Sequence, residues 1–125
     1  YSQPDPEIFI ISKNRDTIKK HGARTFLPAH KTIEICQNKY SSYQKWKYNN
    51  IQVPETLKID NIKDLEDAFE MLNVSKRNPV WIRNIISPGA GKGSLKVDNI
   101  EMAKAWIDFC DHDNNGWGLT IGDGG

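Results

Sequence analysis

The stretch PVWIRNIISPGAGKGSLKV, Pro79 to Val97, narrows the folds open to this chain more than any other part of it. Val80, Trp81 and Ile82 are strand-favouring residues. SLKV, Ser94 to Val97, also reads as extended. Between them lie Pro88 and three alternate glycines, Gly89, Gly91 and Gly93. Glycine lets a backbone take left-handed angles and approach a ligand closely. Strand, glycine loop and strand in succession predict a hairpin, with Ser94–Val97 antiparallel to Val80–Arg83.

A phosphate-binding loop that opens a helix is the competing reading of the same letters. It needs G-x-x-x-x-G-K-[ST] leading straight into a helix whose N-terminus faces the phosphates. Ile86 stands where the first glycine belongs, and Gly93 where the hydroxyl residue belongs, with Ser94 one place later. The next helix signal does not arrive until Asp98. The hairpin therefore fits better. Its backbone N–H groups suit phosphate oxygens, and Arg83 on the entering strand adds a planar cationic donor. A mobile turn beside a surface ion pair remains the alternative on chemistry alone.

Elsewhere the chain alternates between strand and helix signals. EIFIIS (Glu7 to Ser12) reads as a buried strand, and NRDTIKKHGA as a short helix ended by Gly22. KTIEIC (Lys31 to Cys36) reads as a strand or a loop, and NKYSSYQKWKYNN as a helix closed by Asn50. IQVPETLKI is extended, since Pro54 forbids a helix interior. LKIDNI (Leu57 to Ile62) is echoed by LKVDNI (Leu95 to Ile100). Each leads from an extended segment into an amphipathic helix. One helix carries Ile62, Leu65, Phe69 and Leu72; the other carries Ile100, Ala103, Ile107 and Cys110. Asp60 and Asp98 are the expected caps, with Glu101 completing a capping box. Two copies do not make a repeat array, so the echo is read as two junctions sharing one cap. The fold class is α/β (α+β). TIGDGG offers no strand or helix to close the chain, which, with a start at Tyr1, suggests a piece of a longer protein.

Composition removes several functions. The 125 residues suit one domain, or part of one, and 38% are apolar, enough to build a core. Basic and acidic residues nearly balance, 17 against 16, so no polyelectrolyte attraction to nucleic acid or anionic lipid is expected. No apolar run approaches a membrane span, and no secretory leader is recognisable. Cys36 and Cys110 are expected to be free thiols of a cytoplasmic protein. DHDNNG, Asp111 to Gly116, matches the first half of a calcium loop, but Gly122 replaces its bidentate Glu. A polar turn is expected there.

From KTIEICQNK to the helix after Asp98, the chain resembles the ATP-grasp superfamily, in the region shared by carbamoyl phosphate synthase large chains and biotin carboxylase. The motifs are QNKYSSYQKWKYNNIQVPET, then DLEDAFEMLN, then NPVWIRNIISPGAGKGS, in the family's order and spacing. Asn38 replaces the family's Asp before the lysine, and Asn50 its Gly. The resemblance implies residues 31–125 as an incomplete ATP-grasp N-terminal lobe with a strand–glycine loop–strand flap. Residues 1–30 would be the tail of a preceding pre-ATP-grasp domain. It further implies that Lys39 and Arg83 reach ATP phosphates under a flap formed by Gly89, Gly91 and Gly93, helped by Lys92 and Ser94. The implied reaction phosphorylates a small carboxylate or bicarbonate, and a nucleophile such as an amine attacks the acyl phosphate. The implied Mg2+ ligands include a Glu-x-Asn, which this sequence lacks, so they are expected outside the chain, and the chain alone is expected to be inactive. A non-catalytic nucleotide-binding or interaction module and a P-loop kinase-like fold are the alternatives.

Overall fold

The computed structural model describes residues 5–86, 93–110 and 117–121. Four helices come first. Helix α1 (Asp5–Lys13) has Asp5 and Glu7 in its first turn and Lys13 in its last, matching the helix dipole. This corrects the expected strand at EIFIIS. A short apolar run does not distinguish strand from helix by period, and this one lies in a helix with Ser12 buried against its neighbour. Helix α2 (Arg15–Lys20) is followed by Gly22 at φ +87°, as expected. Helix α3 (His30–Gln37) replaces the expected strand or loop at KTIEIC. Its alternating Thr-Ile-Glu-Ile mimics a strand, but only Ile33 is buried, and packing on α1 and α4 overrides the local preference. Helix α4 (Lys39–Tyr48) starts at Asn38, whose side chain accepts from the Ser41 amide at 2.9 Å. Beyond its end Asn50 takes φ 56°, the left-handed conformation anticipated for it.

The rest is a sheet with two helices on one face. In chain order it comprises β1 (Thr56–Ile59), α5 (Ile62–Met71), β2 (Val80–Asn84), β3 (Ser94–Val97), α6 (Ile100–Cys110) and β4 (Trp117–Ile121). The strand order is β1-β4-β2-β3, every neighbour antiparallel. The predicted hairpin forms in the predicted register, Val80 opposite Val97 and Arg83 opposite Ser94. No helix follows the glycines directly, since β3 comes first. That overturns the P-loop reading.

The echoed hexapeptides occupy equivalent places. β1 and β3 are the two edges of the sheet, and each leads into a helix that packs back on it. Each strand–helix–strand unit skips one strand, so two split βαβ units interlock. The expected caps are corrected by one residue. Asn61 accepts from the Asp64 amide and Asn99 from the Met102 amide, both at 2.9 Å. An N-cap side chain must reach the amide three positions on; Asn61 and Asn99 do so here in place of Asp60 and Asp98.

The core lies between sheet and helices. Ile59, Val80, Ile82, Val97, Trp117 and Leu119 meet Leu65, Ala68, Leu72 and Ala103, all buried. Phe69, Ile100, Ile107 and Cys110 pack against this cluster as their spacing predicted, whereas Ile62 stays half exposed. Strand β4 is the correction with the largest consequence. The sequence predicts no strand there, yet β4 is central and pairs on both sides. It also occupies the later positions of the candidate calcium loop, where β1 and β2 hold it extended. Asp111 to Gly116 and Gly122 lie outside the described residues.

Candidate functional site

Strand alternation decides which side chains are available for chemistry. Val80 and Ile82 point into the core, so Trp81 and Arg83 point to the opposite face. The register extends this face across the sheet. Lys58, Gly118, Arg83 and Ser94 form one row; Thr56, Thr120, Trp81 and Lys96 form the next. The Thr56 and Thr120 hydroxyls lie 3.0 Å apart. Directly beside Arg83 stands Gly118, which places no side chain there.

The N-terminus of α4 meets the end of β2. The Lys39 amide donates to the Ile85 carbonyl at 3.0 Å, and Asn38 forms an antiparallel bridge with Ile86. Lys39 and Arg83, distant in sequence, thereby become electrostatic neighbours. Burial pushes the Lys39 ammonium below the ordinary lysine range; Arg83 pushes it further, and Asp5 acts in the opposite direction. Two cations brought together at a half-buried position repel one another, an arrangement that an anion relieves.

Two donors on this face add to that picture. Arg83 Nε and Trp81 Nε1 are buried without a hydrogen-bond partner among the described residues. Buried donors are ordinarily satisfied, so both are suited to an acceptor beyond the described residues. Sequence reasoning named Arg83 but missed Trp81. The signal available was its position two residues earlier on the same strand face.

The far side of the glycine hairpin has its own anchor. Gly93 takes φ +75°, and its carbonyl accepts from the Asn84 amide and from Trp106 Nε1, both at 3.3 Å. Ser94 follows on the Arg83 row. Of the expected site residues, the structure places Lys39, Arg83, Gly93 and Ser94 around one end of β2. Gly89, Gly91 and Lys92 lie outside the described residues. Among the described residues no group of three or more His, Cys, Asp or Glu is arranged to hold a metal. Cys36 and Cys110 are free thiols, and no described helix is long and apolar enough to cross a membrane.

No protein-family model matches the sequence, and no curated protein matches it either. Solved structures do. D-alanyl-alanine synthetase A from Vibrio cholerae superposes with a TM-score of 0.70 at 11% identity, over 90% of this chain and 33% of that one. D-Alanine-D-alanine ligase from Helicobacter pylori gives 0.66 at 14%, over 87% of this chain and 33% of its own. N5-carboxyaminoimidazole ribonucleotide synthetase from Thermus thermophilus gives 0.64 at 15%, over 87% and 26%. The chain thus spans a third or less of these proteins. At such identities the likeness is one of fold alone: this chain has the mixed α/β fold, with its antiparallel sheet, of part of those synthetases and ligases.

Proposed function

We propose that this chain is the phosphate-holding lobe of an ATP-dependent ligase that activates a carboxylate or bicarbonate as an acyl phosphate, which a nucleophile such as an amine then attacks. The observation that carries the reading is the meeting of Lys39 and Arg83 on the sheet face opposite the core, beside a buried Arg83 Nε that has no partner among the described residues. The similar structures support it, since those proteins are ligases and synthetases. Kinship with carbamoyl phosphate synthase large chains and biotin carboxylase, as the finer assignment, rests on the ordered motifs from Gln37 to Ser94. The division at residue 30, with a pre-ATP-grasp tail before it, belongs to the same reading, as does a cytoplasmic location.

The residues present fit a polyphosphate. Lys39 supplies a compact charge and Arg83 a planar fork, which together offset the repulsion among phosphate oxygens. Gly89, Gly91 and Gly93 would offer backbone donors without side chains in the way, with Lys92 and Ser94 adding a charge and a hydroxyl. Bound ATP supplies the phosphoryl group. Magnesium would be held by residues elsewhere in the full protein, as would the carboxylate, so this lobe alone positions one partner of the reaction.

Calorimetric titration with ATP and with adenosine tests the reading. The Arg83→Ala variant should weaken ATP binding by about tenfold to a hundredfold, the usual worth of charged hydrogen bonds. Adenosine binding should change little. Equal ATP affinities for the variant and the native chain would remove Arg83 from the site and the reading with it.

A further inference from the structure

A cleft lies at the other end of α4. Lys47 lies eight positions after Lys39 on the helix, about 12 Å along the axis. The cleft has a volume of about 400 Å³ and lies between the C-terminal half of α4 and the start of β1. That size falls within the range of small-molecule pockets. Its walls include Tyr40, Tyr43, Tyr48 and Leu57, and its charges are Lys47 and Glu55.

The charged pair has a definite geometry. Lys47 Nζ donates to both Glu55 carboxylate oxygens at 3.2 Å and to the Tyr43 hydroxyl at 2.9 Å. The Tyr43 hydroxyl donates in turn to Glu55 Oε1 at 3.1 Å. Both charged side chains keep about half of their surface in solvent, so each retains a side open to a ligand. The ammonium nitrogen and carboxylate oxygens of a free α-amino acid are also about 3 Å apart, as its bond lengths require. Laid antiparallel to the Lys47–Glu55 pair, such a zwitterion sets each charge against its opposite, with one of the three Lys47 N–H groups turning from Glu55 to the ligand carboxylate. An amine alone would meet Lys47, and a carboxylate alone would meet Glu55. The tyrosine rings provide amphipathic faces for an apolar or aromatic side chain; Tyr40 and Tyr43 lie with centroids 5.9 Å apart, and Tyr48 is largely exposed.

The geometry points to a binding site for a free α-amino acid in this cleft, its ammonium on Glu55, its carboxylate on Lys47 and its side chain against the tyrosines. This site is separate from the phosphate cluster and does not depend on the nucleotide reading.

Amide-resolved NMR titration of the full chain tests it, using L-phenylalanine against two truncated probes, 2-phenylethylamine and 3-phenylpropionate. L-Phenylalanine should give saturable shifts confined to the segments around Tyr43–Tyr48 and Glu55–Leu57, with affinity about tenfold or more above either probe. Glu55→Gln and Lys47→Met should each lose about tenfold while melting like the native chain, because both side chains are at the surface. Arg83→Ala should bind L-phenylalanine normally, so failure of the nucleotide reading is scored separately. Equal affinity for the three probes, or no saturable shift at millimolar L-phenylalanine, would overturn the proposal.

Discussion

Replacing Gly93 with alanine tests whether the hairpin exit is held by backbone geometry. At φ +75° an added Cβ costs about 1–2 kcal/mol, because left-handed angles crowd it against the backbone. Part of this is returned, about 0.4–1 kcal/mol, since alanine has fewer unfolded conformations to lose. The Cβ would lie 3.4 Å from Asn84 Cβ, close to ordinary contact, so steric overlap adds little. The larger consequence concerns the Gly93 carbonyl. If the residue relaxes towards negative φ, the bonds from Asn84 N and Trp106 Nε1 are strained together, at about 0.5–1.5 kcal/mol each. Gly22 is the internal control, with φ +87° and open space where its Cβ would go. Gly22→Ala should therefore cost about 1 kcal/mol and Gly93→Ala about 2 kcal/mol. For a chain of this size that separates the two melting temperatures by roughly 3–6 °C. Circular dichroism melts measure the difference, and proton exchange at the Asn84 amide locates it. If Gly93→Ala melts no lower than Gly22→Ala, the double anchor contributes nothing and the argument fails.

The caps separate structure from sequence expectation. Asn61→Ala and Asn99→Ala should each cost about 1 kcal/mol, whereas Asp60→Ala, which removes only an exposed pair with Lys58, should stay within about 0.5 kcal/mol in denaturant titrations. Stability should also depend on Lys39 with a definite sign. Its folded pKa is depressed, by burial and then by Arg83. Between that depressed value and the unfolded value of 10.5, the unfolded chain holds a proton that the folded chain lacks. Stability from this group must then rise with pH through that window. Lys39→Met should flatten the rise and stabilise the unliganded chain at neutral pH, measured by melts from pH 7 upward; an unchanged slope would mean that Lys39 is not held against Arg83.

By itself the sequence determined the elements whose periodicity or turn chemistry is strong. The hairpin register, the two amphipathic helices, the left-handed Asn50 and the stop at Gly22 all follow from local rules. The ordered motifs also singled out Lys39 and Arg83. Three things depended on the tertiary structure. EIFIIS and KTIEIC are helical because α1 and α3 pack on each other, with Ser12 Oγ 2.8 Å from His30 Nδ1 and the Phe9 and His30 rings edge to face; the residues carry too little period of their own. WGLTI, five residues between a polar stretch and a glycine-rich one, becomes the central strand only because β1 and β2 flank it, and pairing is a property of neighbours rather than of a segment. The approach of Lys39 to Arg83 is a third case. It arises where the Lys39 amide meets the Ile85 carbonyl, and a contact between distant segments exists only once the chain has folded to bring them together.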